Sequence, residues 1–356
     1  MGNESINKVS LPLSQLRILS SLLLLSLLIL PLASWVLGDS SKDADARAQA
    51  VALFAKALAV SDLRAPGSPP FEMRGTITVE QENHKPAISG TYLLKWASPE
   101  KWREEIAFAN YTHIRVGGEN QYWQSRTTQY EIEPVLQLYG GLGFLKSLHV
   151  WARPAAIAAL KEIKLHQKKE HGAKLDCVTL TQEGEKYGSD YCFDSVSGVL
   201  VNEFRGASEY SNFISFAGKH FPGSIRSNAE DAPAVTLTVN SILPLVLTDD
   251  GDFQPPQNST VWPACDDPDN VPMLKSAVFP AYPAGAERAR RQGTVTVYGV
   301  LGIDGRLSNL AALGAPDKSL AEAALAAMAK WKYTPETCRG TPVPDESLLM
   351  VRFDVQ

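Results

Sequence analysis

Few side chains in this 356-residue chain have types and spacings suited to chemistry. His166 and His171, in "HQKKEH", stand five apart, whereas a zinc-protease helix needs four so that both imidazoles share one face. A charged, solvated stretch is the better reading of those residues. Asp249, Asp250 and Asp252, like Asp266, Asp267 and Asp269, are spaced too loosely for a calcium loop and lack its closing glutamate, so they read as turn aspartates. "GGLGFLK" lacks the last glycine of a dinucleotide fingerprint, and no GxSxG elbow is present. No catalytic residue, metal ligand set or cofactor is therefore assigned, and no enzymatic function is expected. A net charge of -5 with a pI near 5.8 also argues against nucleic acid, whose binders carry a basic balance or patch.

The four cysteines, Cys177, Cys192, Cys265 and Cys338, are the remaining reactive groups, and what they do depends on compartment. Lys8 and Arg17 precede the apolar run "ILSSLLLLSLLIL" and Pro31, the order of a secretory signal, with cleavage after Gly38. The competing reading is an uncleaved anchor over residues 18 to 37, since a membrane helix needs roughly 20 apolar residues. Either way residues 39 to 356 are expected outside the cytoplasm, in the periplasm or cell envelope, tethered to the inner membrane if the signal stays. There an even cysteine count without any CxxC favours disulfides over metal. Of three connectivities, Cys177 with Cys192 suits a hairpin, "CVTLTQEGEKYGSDYC", and Cys265 with Cys338 would tie a linker to the last domain.

These residues must be held by β-rich elements. Residues 39 to 63 are alanine-rich and helical in pattern, and from Phe71 short runs such as "GTITVEQ", "GTYLLKW", "NQYWQS" and "AVTLTVNSILPLVL" read as strands. Helical patterns interrupt them near residues 134 to 164. The expected fold class is α+β: one large, mostly antiparallel sheet with a few helices over residues 39–247, then a linker over 248–272 rich in Pro, Asp and Asn. Residues 273–356 form a smaller α+β unit. In it Val295, Val297, Leu301 and Ile303 alternate onto one face, Asp304-Gly305 supplies a turn, and Leu349, Val351, Phe353 and Val355 form a last strand. Between them Leu320, Ala323, Ala324, Ala327, Met328 and Trp331 share one helix face, opened by Ser319 and Glu322 as a capping box.

That last unit resembles a known family. "YPAGAERARRQGTVTVYGVLGIDGRL", "AALAAMAKWKYTPETCRGTPV" and the final "VRF" are similar, in order, to the carboxyl-terminal domain of TonB, the energy transducer of bacterial outer-membrane transport. The resemblance covers about residues 278 to 356. It implies a binding module that adds an extended partner segment as an extra strand. The implied partner is an envelope protein, of which an outer-membrane TonB-dependent transporter is the family's example. Phe279, Tyr282 and Pro283, together with Leu348, Met350 and Arg352 on the last strand, are the implied contact residues. Phe279 departs from the glutamine typical of the family before Tyr-Pro. Arg288, Arg290 and Arg291 read as a solvated helix face.

The middle domain has a second resemblance. A helix followed by "FEMRGTITVEQ", "SGTYLLKWASPEKWREEI" and "GGENQYWQ" is similar in order to the LolA and LolB lipoprotein carriers, with Arg103 near the place of that family's arginine. This implies a curved half-barrel sheet around a cavity for a lipid or acyl chain. The two resemblances lead to an exported envelope protein with a partner-binding last domain and a lipophile-binding middle domain. The alternative is a membrane-anchored TonB-type transducer that uses the middle domain as its spacer.

Overall fold

Strand-forming runs of β-branched and aromatic residues, broken by turns, dominate the computed structural model. It describes residues 32–355 except 82–84, 119, 184, 186, 204–206, 229–232, 248–250 and 266–267, with side chains described from residue 42. The signal or anchor segment before Leu32 and Asp249, Asp250, Asp266 and Asp267 lie outside the described residues. Among the described residues no helix is long and apolar enough to cross a membrane. The chain divides into two units, Met1–Ala44 and Asp45–Gln356. The first is described from Leu32, where helix α1 (Leu32–Ser61) begins.

In the second unit a meander comes first: β1 (Phe71–Val79), β2 (Ile88–Ser98), β3 (Lys101–Phe108), β4 (Tyr111–Gly118) and β5 (Gln121–Arg126). Helices α2 (Glu133–Leu142), α3 (Phe144–Trp151) and α4 (Pro154–Ala158) follow. The chain then makes β6 (Glu162–Glu170), β7 (Ala173–Thr181), β8 (Ser189–Asp194), β9 (Leu200–Glu203) and β10 (Ser208–Ser211). After the small hairpin β11 (Ile214–Phe216) and β12 (Lys219–Phe221) come β13 (Ser224–Ser227), β14 (Val235–Pro244) and β15 (Thr260–Pro263). Thirteen of these form one sheet in the order β15-β5-β4-β3-β2-β1-β14-β13-β10-β9-β8-β7-β6, antiparallel at every pairing. Its first and last strands in space are thus β15 and β6.

Helices bury one face of that sheet. Ala50, Phe54 and Ala57 of α1 are fully buried, and Phe54 meets Tyr191 and Phe193 edge-on at 5.1 and 5.2 Å. Val135, Leu138, Phe144 and Leu148 of α2 and α3 join the same core. A fully buried side chain of this size is worth about 1.5–3 kcal/mol, so these anchors hold the helices where their polar residues can reach the sheet.

The carboxyl-terminal lobe contains β16 (Met273–Ser276), α5 (Ala284–Arg288), β17 (Gly293–Leu301), β18 (Leu307–Gly314), α6 (Lys318–Met328), β19 (Lys332–Thr334), β20 (Glu336–Cys338), β21 (Thr341–Val343) and β22 (Asp345–Phe353). Its sheet has the order β18-β17-β22, so β22 is an edge strand. Leu320, Ala324 and Met328 of α6 pack on Val295, Val297 and Val351, and Trp331 closes the core while its indole donates to the Val278 carbonyl at 2.9 Å. Gly305 turns the β17–β18 connection at φ 75°, where a Cβ would stand 2.1 Å from the Tyr333 carbonyl oxygen. Only glycine fits there.

Three local expectations need correction. Asp317, not Ser319, caps α6: its carboxylate accepts the Ser319 backbone N–H at 2.8 Å, because an aspartate at that position reaches the orphan donors directly. Ile303 is 61% exposed, since β17 stops at Leu301 and a tight turn follows. Val355 lies beyond β22, which ends at Phe353.

The Pro- and Asp-rich stretch between the lobes is structured by what it touches. β15 pairs with β5, placing Trp262 opposite Tyr122. Cys265 is bonded to Cys338, and Cys177 to Cys192 directly across β7 and β8. Asp269 accepts the Gly340 N–H at 2.6 Å, Asn270 accepts the Thr337 N–H at 2.8 Å, and Asp252 pairs with Lys95 at 2.7 Å. Those aspartates and that asparagine act as braces.

Candidate functional site

A strand's alternate residues share a face, so the register of β1 to β5 states what lines it. One row runs Met73, Leu94, Glu104, Arg115, Gln124, and the next runs Phe71, Trp96, Trp102, Gly117, Tyr122. The first row therefore changes from apolar on β1 and β2 to charged on β3 and β4, while the second carries no charge. Above it lies a cavity of about 480 Å³, walled by Leu63, Leu142 and Leu145 on the helical side. The rim comes from the other lobe: Glu336, Val343 and the start of β22, Asp345 to Leu348.

Gly117 is needed for this floor. A Cβ on it would stand 1.9 Å from the Trp102 indole nitrogen, so the ring lies over glycine and stays among the cavity walls.

The charged end is a closed hydrogen-bond network. Glu104 accepts the Tyr92 hydroxyl at 2.8 Å, the Tyr139 hydroxyl at 3.1 Å and the Arg115 Nε at 2.7 Å. Burial would raise its pKa, but Arg115 and Tyr92 outweigh that and hold it below the usual carboxylate range. Arg115 lies 4.0 Å from the centre of the Tyr139 ring. Burial alone would weaken its charge, yet Glu104, Tyr139 and Tyr122 keep it firmly protonated. Tyr122 is itself pushed up to about 12, mainly by burial.

Beside this ion pair sits a neutral one. Glu131 Oε2 lies 2.9 Å from His113 Nδ1, both side chains being 1% exposed. Burial, with the Glu346 charge second, pushes Glu131 up to about 9. Burial, with Arg115 second, pushes His113 down to about 4. The proton at neutral pH thus belongs to the carboxyl, which donates to Nδ1, while Nε2–H donates to Gln124 Oε1 at 3.1 Å. Both imidazole nitrogens are occupied, and the Tyr139 hydroxyl also lies 3.1 Å from Nδ1.

Gln124 passes the network to the second lobe. Its Nε2 donates to Glu346 Oε2 at 3.2 Å, Arg126 Nη2 reaches Glu346 Oε1 at 2.8 Å, and the Tyr298 hydroxyl donates to Glu346 as well. Burial would raise Glu346, but Arg126 and Tyr298 keep it ionised. Lys146 pairs with Glu336 at 3.2 Å nearby.

Of the residues singled out by resemblance, Tyr282 meets Phe353 edge-on at 5.5 Å, which brings the Tyr-Pro segment to the end of β22. Pro283 is the N-cap residue of α5, and Phe279 is 87% exposed. Met350 is 40% exposed, and Arg352 pairs with Asp354 at 3.0 Å. Leu348 is different: it packs with Leu136 and Tyr298 between the lobes, so this chain already covers it. Arg103 lies on the face opposite the cavity, with Nη1 donating to the carbonyls of Asp252 and Gln254. The arginines that line the cavity are Arg64 and Arg115, the latter on β4 opposite Glu104. His166 lies near the Cys177 and Cys192 sulfurs, but both are in a disulfide and offer no thiolate to a metal.

Comparison with known proteins bears on both lobes. No curated protein matches the chain. Among solved structures, the LolA superfamily protein NE2245 from Nitrosomonas europaea is 13% identical, with 58% of this chain and 97% of that one covered and a TM-score of 0.36. MucB in complex with MucA(peri) is 13% identical over 70% of this chain and 74% of that one, with a TM-score of 0.25. The Pseudomonas aeruginosa TonB CTD is 26% identical over 24% of this chain and 87% of that one, with a TM-score of 0.22. Residues 279–355 match the family model for the Gram-negative bacterial TonB protein C-terminal, the part of the chain that carries the ordered motifs from Tyr282-Pro283 to the last strand.

Proposed function

We propose that this chain is an exported cell-envelope protein that binds, and does not catalyse. Its carboxyl-terminal lobe takes an extended segment of a partner protein as an added strand on β22. Its cavity holds a molecule with an apolar body and a polar end. The observation that carries the first part is the position of β22 at the edge of the β18-β17-β22 sheet, with Met350 exposed on it. An open edge offers main-chain donors and acceptors, and these supply affinity in strand addition. The family match at residues 279–355 supports the same reading. The register of the cavity floor, with Met73 and Leu94 on β1 and β2 and the charged Glu104 and Arg115 on β3 and β4, supports the second part.

The test of the edge is calorimetric titration of the full chain with a synthetic peptide from the amino-terminal segment of an outer-membrane TonB-dependent transporter. Met350→Ala should bind like wild type, and Met350→Pro should lose binding while remaining folded, because proline removes a donor and blocks pairing. A folded Met350→Pro protein that binds unchanged would defeat strand addition at β22. For the cavity, a fluorescent fatty acid should bind saturably with a negative heat-capacity change, the marker of apolar burial. Absence of saturation would remove the lipophile.

A further inference from the structure

The far end of the large sheet has a charge pattern that neither lobe's binding role uses. β6 is the terminal strand, and its hairpin with β7 turns at His171 and Gly172, whose φ values are 47° and 86°. Residues 161–174 contain five lysines and two glutamates, although the chain as a whole carries -5. Lys161, Lys164, Lys168, Lys169 and Lys174 are all exposed. Glu162 pairs with Lys164 at 3.0 Å and Glu170 with Lys168 at 2.8 Å. Among the described residues no carboxylate pairs with Lys161, Lys169 or Lys174.

Two of those three are set against each other. Lys169 and Lys174 are direct partners in the β6–β7 register. Like charges in that relation destabilise a ladder. They occupy the face that, further along, carries Ile163 and Val178 into the core, so the hairpin tip overhangs the core with lysines on it. Lys164 and Lys168 point from the opposite face. Guarding an edge strand against aggregation requires charge along the edge alone. A basic tip on both faces, including β7, which is not the edge, exceeds that need.

We propose that the β6–β7 hairpin is a docking finger for an anionic phospholipid surface. Charge complementarity names the occupant: a headgroup layer offers anions to both faces of the finger at once. An acidic peptide added along β6 would leave Lys174 on β7 unanswered. Every cation of the finger is lysine. A lysine is a point charge that suits a diffuse anionic surface, whereas a specific phosphate clamp favours the bidentate arginine fork. A basic segment gains about 1 kcal/mol, or roughly fivefold in affinity, per lysine at such a surface.

The experiment is co-sedimentation of the full chain with phosphatidylcholine vesicles with and without phosphatidylglycerol. Because residues 18–30 are apolar, the readout is the ratio of the two affinities. Wild type should prefer the anionic vesicles, and salt should erode the preference. Lys161→Gln, Lys169→Gln and Lys174→Gln together should reduce that ratio by roughly 100-fold, with the melting temperature of the exposed-site variant near wild type. Lys275→Gln, Lys318→Gln and Lys330→Gln in the other lobe serve as the matched control and should leave the ratio intact. Equal wild-type binding to both vesicle types, or a preference that survives the finger variant, overturns the proposal. So does tight binding of poly-glutamate without any vesicle preference, which would assign the finger to an acidic peptide.

Discussion

Glu131 and His113 meet at 2.9 Å with the proton on the carboxyl, and this makes stability depend on pH in a predictable direction. Glu131 titrates near 4.5 when unfolded and at about 9 when folded, so the folded protein retains a proton that the unfolded chain releases. Its contribution is full below pH 4.5 and is lost as pH rises through the folded value. His113 acts oppositely: with a folded pKa of about 4 against 6.5, it favours the fold above pH 6.5 and loses that contribution as pH falls. Between pH 7 and 9 only Glu131 of this pair changes its contribution, by at most about 1.4 kcal/mol per unit. Glu131→Gln keeps a donor for Nδ1 without a proton to lose. Urea unfolding midpoints should fall from pH 7 to 9 more steeply in wild type than in Glu131→Gln; parallel curves would show that Glu131 is ionised in the fold.

Strands β3 and β4 are where an element is set by one missing atom. Gly117 lets the Trp102 indole lie across β4, and Gly117→Ala would force that ring or the strand aside, since the added carbon lies within 2.4 Å of three indole atoms. Overpacking of this kind costs about 1–3 kcal/mol. Chemical unfolding would measure the loss, and fatty-acid binding should weaken with it because Trp102 lines the cavity. The same strands explain what sequence reading missed. "KWREEI" has charges at successive positions, so one of each pair must face inward, but alternation alone does not say which face is covered. The helices decide: their packing puts Glu104 inside and leaves Arg103 and Glu105 on the other face.

Across the whole molecule the lobes are joined by a buried ion pair and a disulfide. Arg126 and Glu346 are 13% and 12% exposed at the side chain, and β22 carries Glu346 from one sheet to the floor of the other. Arg126→Ala leaves Glu346 without its guanidinium, which costs about 3–5 kcal/mol for a buried pair broken on one side. Adding Glu346→Gln to Arg126→Ala should recover part of that loss, since it removes the stranded charge. Thermal unfolding of both variants distinguishes them, and equal losses would mean that the carboxylate is solvated after all. Cys338→Ser opens the second attachment, and loss of a native disulfide typically costs about 2–5 kcal/mol. Limited proteolysis should then cut residues 248–272 faster than in wild type. Unchanged cleavage would show that β15 and the Asp269 and Asn270 braces suffice.

Much of this was legible in local sequence because the relevant forces are local or pairwise along the chain. Period-two alternation marked the strands, the apolar spacing from Leu320 to Trp331 marked α6, and an even cysteine count in "CVTLTQEGEKYGSDYC" marked a bridge across a hairpin. The ordered motifs between Tyr282 and Phe353 marked the last lobe as similar to the TonB carboxyl-terminal domain. The charged end of the cavity was not legible. Glu104, His113, Arg115, Glu131 and Glu346 come from β3, β4, the segment before α2, and β22, and each taken alone looks like a solvated strand or turn residue. Only the tertiary structure brings a carboxylate from residue 346 against an arginine from residue 126 and removes water from both. Burial is a property of the assembled layers, and with it come the neutral Glu131–His113 pair, the loss of Leu348 from the open edge and the cavity that the two lobes share.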